Sequence, residues 1–131
     1  VDVAVEAVLG FRGAHHAQAA RLLDGGSAAL ATDDGSIGHH GLVTDLLAAR
    51  LDDDDHAVVY ACGPPGMLEA VRVLCTGRGV AAQLALEAGM ACGYGACFGC
   101  VVPVAGGGYA RVCVDGPVLD ADRLVAVGAH A

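Results

Sequence analysis

Cys92, Cys97 and Cys100 stand in the stretch Met90-Ala91-Cys92-Gly93-Tyr94-Gly95-Ala96-Cys97-Phe98-Gly99-Cys100, and Cys113 follows after a gap of twelve residues. The spacing is C-x4-C-x2-C with a distal fourth cysteine. Four thiolates so spaced are the plant-type ligand set of a [2Fe–2S] cluster. The loop between Cys92 and Cys97 is long enough to bend around a cluster. Its glycines accept positive φ and let backbone N–H groups turn toward the sulfurs. Structural zinc is the competing reading, but it usually takes two separated C-x2-C pairs, and Cys113 has no close cysteine neighbour. A disulfide framework is disfavoured, because nothing else marks a small secreted scaffold.

A second motif, Cys62-Gly63-Pro64-Pro65-Gly66-Met67, follows a strand-like run and opens a helix-like one. In a doubly wound sheet this is the carboxyl edge of the strands, where ligands bind. A glycine there permits close backbone approach, and a helix N-terminus favours anions. A plain strand-to-helix turn would use the same residues, since proline suits the first helical turn. Cys75 has no partner at ligand spacing and reads as a buried, inert thiol. His15-His16 and His39-His40 are sequence neighbours whose side chains diverge, so they read as surface residues rather than a metal site. No residue is assigned a catalytic role.

The elements that must position these motifs alternate. Residues 3–10 and 56–62 read as buried strands, 28–32 and 80–86 as further strands. Residues 14–23, 42–51 and 67–74 read as helices, the first stopped by Asp24-Gly25-Gly26. This order predicts an α/β fold with a parallel sheet. After Glu87 the alternation stops, and a hairpin is expected around Gly106-Gly107-Gly108. The expected division is an α/β unit over 1–87 and a loop-rich cluster unit over 88–131. The acidic run 52–55 reads as a solvated turn.

At 131 residues the chain has the length of about one domain. Hydrophobic residues make 55% but aromatics only 4%, so the core is built from Ala, Val and Leu. A net charge of −8 argues against nucleic acid, which is bound by cations. No basic run or basic amphipathic helix suggests a membrane surface. Residues 88–110 carry no charge, but seven glycines and Pro103 make them a poor spanning helix. No secretory leader pattern is present, so a cytoplasmic location is expected. The chain opens on Val1 in a strand-like run, which predicts a fragment of a longer polypeptide.

The two motifs together bring a resemblance into view. VLGFRG (8–13), ATDDGSIGHHGLVTDLL (31–47), YACGPPGML (60–68), LEAGMACGYGACFGCVV (86–102) and VCVDGPVLDADRL (112–124) resemble, in order, the electron-transfer subunit of NAD-dependent, two-subunit dihydroorotate dehydrogenase. That family belongs to the ferredoxin reductase-like flavoproteins. The C-G-P-P-G-M block is common in that superfamily, whereas the blocks around Cys92–Cys100 and Cys113 are much more specific. The resemblance implies an electron path in pyrimidine biosynthesis. Dihydroorotate is oxidised at the FMN of a separate catalytic subunit, and electrons cross a [2Fe–2S] cluster to FAD and then reach NAD⁺. It implies Cys92, Cys97, Cys100 and Cys113 as cluster ligands. It puts Cys62, Gly63 and Pro64 near the nicotinamide–flavin contact and Asp33, Asp34 and Gly35 on the nucleotide side. It also implies a catalytic-subunit partner in a heterotetramer.

Departures qualify this. The family's FAD-binding barrel and the first, glycine-rich strand of its nucleotide domain are absent. The expected sheet is therefore a partial doubly wound one lacking its first strand, and FAD binding falls mainly to the missing barrel. The alternatives are another iron–sulfur reductase subunit of the superfamily, from a sulfite reductase, hydrogenase or transhydrogenase complex, or a structural zinc-binding module.

Overall fold

The computed structural model describes residues 4–22, 28–54 and 56–128. The chain packs as two compact units, Val1–Asp54 and Asp55–Ala131.

In the first unit, β1 (Ala7–Phe11), β2 (Ala28–Thr32) and β3 (His39–His40) form a parallel sheet in that order. Between β1 and β2 the chain makes one α turn, α1 (Ala14–Ala17), and then a 3-10 stretch, Gln18–Leu22, where a continuous helix was expected. The stop signal Asp24-Gly25-Gly26 lies outside the described residues. Helix α2 (Val43–Asp53) follows β3. Its N-terminus is closed by Asp45, whose carboxylate accepts the Leu42 N–H at 2.9 Å and lies 3.2 Å from His39 Nε2. Both contacts hold the Asp45 carboxyl below its usual range. The acidic run is not a turn throughout: Asp52 and Asp53 complete α2.

In the second unit, β4 (Val59–Cys62), β5 (Ala82–Ala85) and β8 (Val118–Asp120) form a mixed sheet in the order β4-β5-β8. β4 and β5 are parallel; β5 and β8 are antiparallel, with Leu84 opposite Leu119. Helix α3 (Pro65–Arg78) crosses between β4 and β5, with Pro65 in its first turn and Gly79 in the left-handed conformation ending it. Leu68, Val71 and Cys75 recur at helical spacing on its buried face, and Leu84 and Leu119 are buried on the sheet. Between β5 and β8 come β6 (Val101–Pro103), β7 (Tyr109–Arg111) and the single turn α4 (Val112–Asp115). β6 and β7 make the expected hairpin, with Gly106-Gly107-Gly108 at its tip.

One expectation needs correction. The strands expected to be buried over 3–10 and 56–62 are shorter, and β4 alternates between half-buried and exposed residues, with Tyr60 73% exposed. Both are end strands of their sheets, so they lack the two-sided cover that makes a strand uniformly apolar. The loop-rich region after Glu87 also returns a strand, β8, to the sheet of β4 and β5. Residues 88–131 thus contribute a strand to the α/β layer.

The end of the described chain is fastened to α3. Arg72 donates to Glu69 through Nε at 2.8 Å and Nη2 at 2.7 Å, and the Val127 N–H donates to Glu69 Oε2 at 2.8 Å. These donors, Arg72 first, hold the Glu69 carboxyl below its ordinary value. A carboxylate with a lowered folded pKa stabilises the fold above the ordinary glutamate value, and that stability is lost as pH falls through the lowered one. Glu69→Ala is expected to cost about 1–2 kcal/mol at neutral pH, given a part-buried fork plus a charge-assisted N–H bond. Thermal unfolding at pH 7 and at pH 3 checks this, because the difference between wild type and variant shrinks in acid.

Candidate metal centre

The cysteine loop 92–100 joins β5 to the hairpin, and Cys113 sits in α4 beyond it. The hairpin brings the distal thiol back. β6 and β7 pair Val101 with Arg111, and the Val112 N–H donates to the Cys100 carbonyl at 3.0 Å. Cys100 is buried, Cys92 and Cys113 are half-buried, and Cys97 is exposed.

The thiols stand as two pairs. The Cys97 side chain neighbours the Cys92 sulfur, and the Cys113 side chain neighbours that of Cys100. Backbone donors add to this. The N–H of Tyr94, then those of Cys97 and Ala96, face the Cys92 sulfur and bring its pKa down to about 6. The Cys97 N–H lies 3.4 Å from that sulfur, and the Gly99 N–H lies 3.4 Å from the Cys97 sulfur. Cys100 is also lowered, first by the Cys113 N–H. Cys113 is raised, first by its neighbour Cys100 and then by burial. Among the described residues, no three His, Cys, Asp or Glu side chains close on a single metal ion. A two-iron cluster asks for a different arrangement, two thiolates for each iron, with amide donors on the sulfurs. The Cys97 N–H on the Cys92 sulfur and the Gly99 N–H on the Cys97 sulfur are amide donors of that kind.

The residues expected at the nucleotide side are found in two places. Cys62, Gly63 and Pro64 are at the C-terminal end of β4, where they enter α3. They line a cleft of about 350 Å³ whose opposite wall is Val101, Val102 and Pro103. The Cys62-Gly63-Pro64 turn and the hairpin that follows the cysteine loop therefore face the same space. Gly63 has φ +156°, and a Cβ on it would approach Met67 Cε to 2.6 Å. Asp33, Asp34 and Gly35 belong to the first unit, after β2. Asp34 accepts the Ser36 N–H at 2.9 Å and the Ser36 hydroxyl at 2.5 Å, and these bonds lower its pKa. The buried Thr32 hydroxyl donates to the Ile37 carbonyl at 2.7 Å and holds the same loop from behind.

Cys75 is fully buried on α3, and burial pushes its thiol up. His15, His16, His39 and His40 are exposed. The sequence reading passed over Arg111, whose guanidinium reaches the cysteine loop; an isolated arginine two residues before a cysteine carries no signal of its own.

Residues 87–125 match the family described as the iron-sulfur cluster binding domain of dihydroorotate dehydrogenase B. The chain resembles the electron-transfer subunits of that enzyme. It is 41% identical over 103 residues to the dihydroorotate dehydrogenase B (NAD(+)) electron transfer subunit of Caldanaerobacter subterraneus subsp. tengcongensis, covering 76% of this chain and 41% of that one. It is 48% identical over 102 residues to the corresponding subunit of Bacillus caldolyticus, covering 76% of this chain and 38% of that one. The chain thus spans about two fifths of the length of these curated relatives. Among solved structures, it is similar to a chain of an NADH-dependent reduced ferredoxin-NADP oxidoreductase, with a TM-score of 0.73 and 28% identity over 90% of this chain and 43% of that one. The α/β architecture expected from the motifs is the one found, and the segment from Glu87 onward matches the cluster-binding family that the cysteine spacing suggested. No described helix is long and apolar enough to cross a membrane.

Proposed function

We propose that this chain is part of a cytoplasmic electron-transfer subunit of NAD-dependent dihydroorotate dehydrogenase, in which a [2Fe–2S] cluster and FAD relay electrons from the FMN of a catalytic subunit to NAD⁺ in pyrimidine biosynthesis. The observation that carries the reading is that the four cysteines lie within the segment that matches the cluster-binding family, with the Cys97 and Gly99 N–H groups each 3.4 Å from a loop sulfur.

The chain's own residues then have distinct tasks. Cys92, Cys97, Cys100 and Cys113 would hold the irons, and the N–H groups of Cys97 and Gly99 would stabilise charge on the sulfurs. Gly63 keeps the turn free of a side chain where the nicotinamide ring approaches the flavin, with Cys62 and Pro64 beside it. Asp33, Asp34 and Gly35 form a polar loop on the nucleotide side. In the partial-sheet reading, the end strands β1 and β4 are the neighbours of the family's first strand. Residues 88–131 form the cluster-bearing segment and 1–87 the nucleotide-binding part. The partner is an FMN-containing catalytic subunit, joined in a heterotetramer.

Metal and sulfide analysis of the intact, anaerobically purified protein tests the centre. About two irons and two acid-labile sulfides per chain are expected. Zinc without sulfide would instead support a structural zinc module. A second reading, another iron–sulfur reductase subunit of the superfamily, has the likeness to the ferredoxin-NADP oxidoreductase in its favour. Dihydroorotate-dependent NAD⁺ reduction in the presence of the FMN subunit separates the two.

A further inference from the structure

Arg111 ends β7, two residues before Cys113, and its side chain leaves its own strand to reach the cysteine loop. Three contacts define its position. Its Nε lies 3.4 Å from Asp115 Oδ2, and the same oxygen accepts the Arg111 backbone N–H at 2.8 Å. Its Nη1 lies 3.5 Å from the Gly95 carbonyl oxygen, and its Cζ lies 5.6 Å from the centre of the Phe98 ring. The guanidinium therefore grips the loop on both sides of Cys97 from an anchor beside Cys113.

The Gly95 carbonyl belongs to the same peptide group as the Ala96 N–H. In a trans peptide these two point in opposite directions. The carbonyl faces Arg111, so the Ala96 N–H points away from it, and the next amide, the Cys97 N–H, lies 3.4 Å from the Cys92 sulfur. Arginine thus braces the peptide that leads into this donor. Gly95 is buried with φ +86°, and a Cβ there would come within 3.2 Å of Arg111 Nη1 and 2.8 Å of Val114 Cγ2, so a glycine is what admits the guanidinium. Phe98 is the one described non-glycine residue with positive φ, +55°, and its ring is the one facing the arginine. A cation–π contact suits a conformation that phenylalanine does not otherwise favour.

We propose that Arg111 is a positioning residue for the iron–sulfur centre: by bracing the Cys92–Cys97 loop at Gly95 and Phe98 it keeps the Cys97 N–H on the Cys92 sulfur, and so raises the reduction potential of the cluster. The inference rests on reading the four thiols as cluster ligands. Adding an electron makes a cluster held by four thiolates more negative. A nearby guanidinium and an inward amide dipole both favour that reduced form.

The test is spectroelectrochemical titration of the intact protein, with electron paramagnetic resonance of the reduced state. Iron and sulfide content of the wild type comes first; zinc in their place overturns the ligand reading itself, before any variant is compared. With the wild-type cluster present, Arg111→Gln is expected to retain iron while its one-electron reduction equilibrium constant falls about tenfold, a potential about 59 mV lower, with shifted g values. Arg111→Lys keeps the charge but not the planar fork, and its potential is expected between the two. A wild-type potential in Arg111→Gln overturns the proposal. So does a wild-type potential in Arg111→Lys beside a lowered one in Arg111→Gln, because charge alone would then suffice. Where Arg111→Gln assembles no cluster, Arg111→Lys decides: a lowered potential supports the positioning role and an unchanged one overturns it.

Discussion

Cys97→Ser is expected to strip the iron from the intact protein, while Cys75→Ser leaves it in place. Cys97 is exposed at the outer turn of the loop, with the Gly99 N–H 3.4 Å from its sulfur and its side chain beside that of Cys92. A serine hydroxyl is neutral at pH 7 and supplies no thiolate to an iron. The lost ligand also breaks the Cys92/Cys97 pair, so the second thiol is left without its neighbour. Iron content should fall from about two per chain to well below one. Cys75 is buried on α3, outside the loop, where a serine introduces a hydroxyl into an apolar site at a cost of about 1–3 kcal/mol. That substitution lowers the unfolding temperature and keeps the visible spectrum. Iron and sulfide analysis with absorption spectroscopy reads both. Loss of iron in Cys75→Ser with retention in Cys97→Ser would overturn the ligand set.

The second large effect is expected at the other wall of the cleft. Gly63→Val should leave the cluster spectrum intact and slow reduction of the flavin by NADH at least about tenfold, equivalent to about 1.4 kcal/mol of barrier. Gly63 combines a φ of +156° with a position facing the cleft. A valine there is strained by its backbone, pushes the Met67 thioether aside and projects a branched side chain beside Cys62. None of the four thiols in the cysteine loop and α4 is at this turn, which is why the spectrum is spared. Stopped-flow reduction of the flavin in the intact protein gives the rate. Unchanged NADH kinetics would remove this turn from the nicotinamide site.

Much of this architecture was legible where local chemistry decides it. β2 occupies the residues expected, Ala28–Thr32, and Pro65 begins α3 as a proline at a helix start should. The three-glycine tip announced the hairpin that returns Cys113. What could not be read were features made by distant partners. β3 is two histidines long and exists because β2 offers it an edge. β8 is three residues long and gains its place through the rungs Gln83–Asp120, Leu84–Leu119 and Ala85–Val118, more than 30 residues apart in sequence. The helix expected over 14–23 has only one α turn before tightening into 3-10 geometry. The same limit applied to the centre. Cysteine spacing named the thiols, but their pairing and the reach of Arg111 across to Gly95 depend on the hairpin's register.

The pairing of β5 with β8 has one more consequence. Ala85 stands opposite Val118, and the Leu86 N–H donates to the Pro117 carbonyl at 2.9 Å. Residues 86–117 therefore leave the sheet and re-enter it at adjacent points, as an inserted module does when its two ends meet. Every cysteine of the candidate centre lies inside that excursion, whose hairpin is tied a second time beyond β8, where the Ala105 N–H donates to the Arg123 carbonyl at 2.8 Å and the Val125 N–H to the Pro103 carbonyl at 3.3 Å. Such a segment is a cassette: it can be lengthened, shortened or exchanged between related α/β hosts without rethreading the layer that carries it. The entropy of closing it is met at these ties and grows only slowly with the length of what is carried.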